Sequence, residues 1–409
     1  MKFILTHSGK QHSYYLAKAL ADLDALERFY TSSYVGSEWL QEYLLRRGDT
    51  FWTRRFIAGL GGNLVQSNWR FELPELVLRI FLGKSPLVQR SVYWRDVQFD
   101  SFVARKLTKL GMSRGCGFWG FQGSCRDSLV AANALGMPTV CELATAHVTE
   151  ARRELGLEAK LMPDWADSID NLEFTGDYLK RLEEEPHLAR WVVAASEYTR
   201  KSLLADGVAE DKILQLPLGF DLDYVPYVER SRPRGRPLRL LYVGTVTQRK
   251  GIAYLLEAMK SFSANDVELH IIGGVQGSGD AFRRSEVHYV YHAPVSQREL
   301  FAMYADFDAL VLPTIFEGFG LVIVEAMAAG LPCITTAHSI GPDLIRTGDN
   351  GYIVPIRDVT AIVDAVSILL DTDDDAYLGL CRRAREAALG FTWGAHRDNL
   401  SRLLDRIEN

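Results

Sequence analysis

What most constrains the fold is one recurring order along the chain: a short apolar segment, a glycine-bearing loop, then an amphipathic helical pattern. Residues 2–6 are apolar and β-friendly, end in His7-Ser8-Gly9, and lead into a helical pattern carrying Tyr14, Leu16, Ala17 and Leu20. The order repeats at Gly117–Gln122 with a helix through Leu129–Leu135, and again at the strand Thr139–Glu142. Trp191–Ala195 is a further strand, and Ser196 is placed to cap a helix with apolar Leu203 and Leu204. The second half uses the same grammar. Leu238–Val243 runs into Gly244, Glu268–Ile272 into Gly273-Gly274, and Ala309–Leu312 into Pro313; helices are predicted at Tyr254–Lys260 and Leu321–Ala328 before the strand Pro332–Thr336. Short buried strands alternating with helices make a parallel sheet covered on both faces. Between the halves, the basic, Pro- and Gly-bearing run Arg230–Pro237 is predicted to be an exposed connector. Two α/β units facing one another leave a cleft, and such sheets bind ligands at the C-terminal ends of their strands.

Length agrees, because 409 residues exceed one ordinary core and favour two domains. Hydrophobic residues at 47% and charged residues at 24% describe a folded chain. A net charge of -6 argues against nucleic acid as the main partner, since phosphate binding needs a broad basic face. The five cysteines (Cys116, Cys125, Cys141, Cys333 and Cys381) are odd in number and form no CxxC pair, which predicts free thiols in a reducing compartment. The opening apolar run is broken at His7, too early for a secretory signal. No run approaches the ~20 apolar residues of a membrane span. The expected location is the cytoplasm.

Residues 46–95 stand apart, with nine Lys/Arg against three Asp/Glu and interleaved Phe51, Trp52, Phe56, Trp69, Phe71, Phe81, Tyr93 and Trp94. The simpler expectation is an inserted helical hairpin that packs its aromatics inward and solvates its arginines. The alternative is a face for peripheral contact with the inner membrane surface or a lipid-linked acceptor. The acidic stretch Glu150–Glu185 is expected to be a solvated, partly helical surface.

The segment richest in chemistry is Pro313–Gly330. Glu317 follows a buried strand, Gly318 and Gly320 let backbone approach a ligand, and a helix begins nearby with free N–H groups suited to an anion. Glu325 lies on that helix. Two carboxylates thus bracket an anion-binding element, and carboxylates accept from sugar hydroxyls and stabilise positive charge on a sugar ring. Phe316–Glu325, with its Glu-Gly-Phe-Gly loop and Glu-Ala-Met-Ala-Ala-Gly-Leu-Pro exit, resembles the E-x7-E signature of glycosyltransferase family 4, whose members have the GT-B fold and retain anomeric configuration.

Other strings extend the resemblance. Gly244–Gly251 is similar to the family's G-x-[LV]-x-x-x-K-G loop, with Thr245 where many members carry Arg. The resemblance implies that Arg249 and Lys250 neutralise the donor diphosphate. Ser8-Gly9-Lys10 resembles the first glycine loop, and Glu142–His147 the segment bearing a histidine near donor sugar and acceptor; His7 and His12 are weaker candidates. Phe391-Thr392-Trp393 resembles the start of a last helix that crosses back to the N-terminal domain.

The expected molecule is therefore α/β, with two Rossmann-like domains of GT-B type: an acceptor-side domain at 1–218 with helix 392–409, and a donor domain at 219–391. The resemblance implies a retaining hexosyltransferase that moves sugar from a UDP- or GDP-sugar to a sugar or lipid-linked acceptor in glycan, polysaccharide or glycolipid synthesis. Glu317 and His147 are its expected catalytic residues. Gly9, Arg249, Lys250, Gly318, Phe319, Gly320, Leu321 and Glu325 are its expected donor-binding residues. No cofactor or metal is expected, as no Asp-x-Asp motif lies in a donor loop. A nucleotide-sugar epimerase of the same fold, or a non-catalytic two-domain carbohydrate-binding protein, is the alternative.

Overall fold

The computed structural model describes residues 1–9, 12–47, 52, 55–83, 85–110, 115–169, 174, 176–230 and 235–408. They form two parallel sheets. The first contains β1 (Lys2–His7), β2 (Leu26–Thr31), β3 (Val65–Ser67), β4 (Cys116–Phe121), β5 (Thr139–Leu143), β6 (Trp191–Ala194) and β7 (Ile213–Gln215), in the order β3-β2-β1-β4-β5-β6-β7. The second contains β8 (Leu238–Val243), β9 (Val267–Ile272), β10 (Tyr289–His292), β11 (Ala309–Leu312), β12 (Cys333–Thr336) and β13 (Gly351–Val354), in the order β10-β9-β8-β11-β12-β13. In each sheet the order reverses beside the first strand, where α/β sheets open a ligand crevice.

Side-chain alternation explains the layering. Phe3 and Leu5 of β1 join one buried cluster while Ile4 joins another, so both faces of the first sheet are covered. In the second sheet Leu240, Leu241, Tyr242 and Leu310–Leu312 are all buried in a single large core.

The chain crosses between sheets twice, side by side. Phe220 N–H donates to Phe391 O at 2.9 Å and Trp393 N–H to Phe220 O at 3.3 Å. The helix Trp393–Glu408 then buries Leu400, Leu403, Leu404 and Ile407 in the cluster of Phe3 and Leu5. Trp393 stacks on Tyr15, ring centroids 3.9 Å apart. The predicted connector begins differently from expectation. Arg230 is buried, donating to Tyr304 O at 2.7 Å and to Phe307 O, so it anchors the chain to the second sheet; residues 231–234 lie outside the described residues.

Two surface expectations also change. The helix Val148–Leu161, within the acidic stretch, is not simply solvated: Glu158 is fully buried and Leu155 packs in the core of the second sheet. Residues 73–110 do form a helical hairpin, but Arg95 is largely buried while Ile80 and Phe81 face outward. Phe51 and Lys84 lie outside the described residues.

Candidate active site

The loops after β8, β9 and β11 approach so closely that only glycine fits at their contacts. A Cβ on Gly251 (φ +71°) would sit 2.0 Å from Pro313 O, and one on Gly273 1.9 Å from Gly244 O. This closeness positions the charged groups. Thr247 caps the single turn Gln248–Lys250, and Ile315 and Phe316 N–H groups donate to Arg249 O. Arg249 Nη1 then lies 3.2 Å and Lys250 Nζ 3.1 Å from Glu317 Oε2. Arg249 also donates to Phe316 O at 3.1 Å. Burial pushes the Glu317 pKa up, but Lys250 and Arg249 together outweigh it and hold the carboxyl below its ordinary value.

Beyond Glu317 the loop is clamped against the first domain. A Cβ on Gly318 would meet Ala144 O at 2.3 Å, and Ser196 Oγ donates to Gly318 O at 2.8 Å. Phe319 is buried against Phe391, and Gly320 (φ +85°) starts the helix Leu321–Ala328 with Leu321 exposed. Glu325 is 7% exposed on that helix and accepts from Gln297 Nε2 at 3.1 Å. Burial raises its pKa, opposed by hydrogen bonds from Gln297 and Tyr304.

Across the cleft, Gly9 N–H donates to His7 Nδ1 at 2.7 Å and Ser8 Oγ to Asp96 at 2.6 Å; Lys10 lies outside the described residues. Burial drives His7 down to about 4, so it is neutral at pH 7. His12 pairs with buried Glu142, which also accepts from Trp119 Nε1 at 2.7 Å.

His147 is not brought to the Glu317 set. Its side chain is fully buried, accepts from Thr149 N–H at the start of Val148–Leu161, and lies 3.4 Å from Asp206 at the end of another helix. The ring therefore serves the interior of the first domain, and burial lowers its pKa.

Sequence reasoning missed a set of contacts that joins the two domains behind the loop Gly244–Gly251. Gln248 Nε2 donates to Glu158 at 2.8 Å, and Gln248 N–H to Ser168 Oγ at 2.9 Å. Arg357, with φ +62°, binds Glu158 at 2.6 Å and Glu154 at 2.8 Å. The only signal was the carboxylates themselves. Among the described residues, Glu150, Glu154 and His338 are the one group with metal-ligand spacing. Arg153 and Arg357 already neutralise those carboxylates, leaving a poor cation site.

Residues 237–372, which carry the Arg249–Glu317–Lys250 set, match the family described as Glycosyl transferases group 1. The whole molecule superposes on sucrose-phosphate synthase of Thermosynechococcus elongatus with TM-score 0.64 at 18% identity, covering 100% of this chain and 99% of that one. The chain has the GT-B fold, and its residues 237–372 are a glycosyltransferase group 1 domain. The chain also superposes on Anabaena HepE in complex with UDP and glucose, with TM-score 0.60 at 13% identity over 99% and 100% of the two chains. In sequence it is 27% identical over 297 residues to WcaL of Salmonella typhimurium, a protein named for glycosyltransfer in colanic acid biosynthesis, spanning 67% of this chain and 72% of WcaL. It is 30% identical over 208 residues to the D-inositol 3-phosphate glycosyltransferase of Xylanimonas cellulosilytica, spanning 46% of this chain but only 49% of that enzyme.

Proposed function

We propose that this glycosyltransferase moves a hexosyl group, with retention, from a UDP- or GDP-sugar to a hydroxyl of a sugar or lipid-linked acceptor in glycan or polysaccharide synthesis. The observation that carries this reading is the pairing of Arg249 and Lys250 with the single carboxylate of Glu317 at the strand ends. Arg249 and Lys250 place two cationic side chains together at these strand ends, and such a pair suits the oxygens of a diphosphate. WcaL and HepE support the substrate class by the glycan synthesis and the UDP in their names.

In this reading the residues 219–391 form the donor domain. Glu317 and the Gly318–Leu321 backbone hold sugar and phosphate, and Glu325 holds the ribose hydroxyls. The bond from the anomeric carbon to the β-phosphate oxygen breaks, and its electron pair leaves with the nucleoside diphosphate. Arg249 and Lys250 stabilise that charge, the role a divalent cation would otherwise fill. The acceptor oxygen attacks the same face, and its proton passes to the departing phosphate. Gly9 closes the site from the first domain. His147 acts through its cap on Val148–Leu161 and does not touch substrate.

A thermal-shift screen against UDP-, GDP- and ADP-sugars, with and without EDTA, tests the donor. A hundredfold excess over Kd stabilises by about 2.7 kcal/mol. A shift with one nucleotide class that survives EDTA is expected; a shift abolished by EDTA ends the metal-free mechanism, and no shift with any nucleotide sugar ends the donor assignment.

A further inference from the structure

The helix Leu73–Leu82 is built inside out. Leu73, Val77, Ile80 and Phe81, at spacings that fall on one helical face, are 51%, 49%, 78% and 79% exposed. Its inward residue is a carboxylate: Glu75 is buried and paired with Arg95 and Arg79. Soluble surface helices place these residue types the other way round. The next helix, Pro86–Leu110, continues the face with exposed Leu87, Arg90 and Trp94 at helical spacing. Between residues 73 and 95 the sequence holds four bases (Arg79, Lys84, Arg90 and Arg95) and one acid, the buried Glu75. Among the described residues of 73–95, the outer face therefore offers apolar groups and the exposed Arg79 and Arg90, with no exposed acid.

We propose that this face docks on an anionic lipid bilayer, with Ile80 and Phe81 entering the headgroup boundary and Arg79 and Arg90 meeting lipid phosphates. Charge decides the occupant. Two copies docked face to face would oppose cation to cation. No helix among the described residues is long and apolar enough to cross a membrane, so the contact is peripheral. The inner side of the same hairpin reaches the cleft: Arg95 binds Asp96 at 2.9 Å, and Asp96 accepts from Ser8 of the first glycine loop at 2.6 Å. Leu87 and Arg95 are eight residues apart on one helix, or about 12 Å, so docking holds the cleft mouth close to the lipid surface.

The test is co-sedimentation of the full chain with vesicles of phosphatidylcholine alone, or with about a third phosphatidylglycerol. Binding only to the anionic vesicles is expected. Ile80→Asp/Phe81→Asp should weaken it by about tenfold or more, and Arg90→Gln by about fivefold, with circular dichroism unchanged. Phe81→Ser reads the same face should the double variant unfold. No binding by the wild type, or equal binding by the Ile80/Phe81 variant, would overturn the proposal. So would a wild-type dimer that this variant converts to monomer.

Discussion

Glu317 is a carboxylate held ionised by two cations, and that arrangement makes its substitution informative. Glu317→Gln keeps the shape and removes the charge. Turnover is expected to fall about a hundredfold or more, in the range of one lost electrostatic contact in an active site, while the circular dichroism spectrum stays the same. Turnover within a few-fold of wild type would remove Glu317 from the mechanism. Its lowered pKa also has a sign: the stability it contributes is present above the ordinary carboxylate value and lost as pH falls through the folded value. Glu325 runs the other way. Its raised pKa means stability is full below the ordinary value and lost as pH rises through the folded one. Glu325→Gln should therefore melt higher than wild type near pH 8, with the gain shrinking toward pH 4.5, while donor-induced stabilisation weakens. A gain that does not depend on pH would refute the buried-charge explanation. The Glu317, Arg249 and Lys250 set was legible in sequence because each residue lies in a short loop whose strand and helix were legible too. His147 was not, because its direction is set by Asp206, 59 positions away and invisible to local pattern.

At the scale of elements, the helix Val148–Leu161 shows how composition can mislead. Its acids suggested a solvated face, yet Glu154 and Glu158 are buried because Arg357 from beyond β13 reaches them. Period and charge locate a helix; they do not say which partner will neutralise it. Arg357→Ala leaves buried Glu158 without its cation and Glu154 with Arg153 alone, at a cost of about 3 kcal/mol. A urea titration should show the midpoint falling with little change in slope. An unchanged midpoint would mean that the pair contributes nothing. Because Gln248 adjoins Arg249 and binds Glu158, the same variant should also weaken donor-induced stabilisation. Gly318 is the opposite case, with its backbone against Ala144. Gly318→Ala should force the loop and the first domain apart, raising KM for donor with the melting temperature nearly unchanged. An unchanged KM would show that the loop relaxes freely.

At the scale of the molecule, the two parallel units were legible because the strand–loop–helix order repeats, whereas the division at 218/219 with a returning helix at 392–409 came from the resemblance and not from linker composition. Arg230–Pro237 has linker composition, but the crossing is made at Phe220, by a backbone pairing with Phe391 and Trp393. The final helix completes the first domain's core, so deletion of 392–409 should expose Phe3 and Leu5 and give aggregated protein; a soluble, monomeric truncation would contradict that packing. The double crossing has a further consequence, for a severed chain. A cut introduced at exposed Gly235 would yield an upstream piece whose Val225 and Arg230 belong to the second core, and a downstream piece whose last helix belongs to the first. Each fragment would carry a part the other needs. The nicked protein should elute as one particle, and separately made halves should complement one another, as a reciprocal clasp that survives loss of its covalent thread.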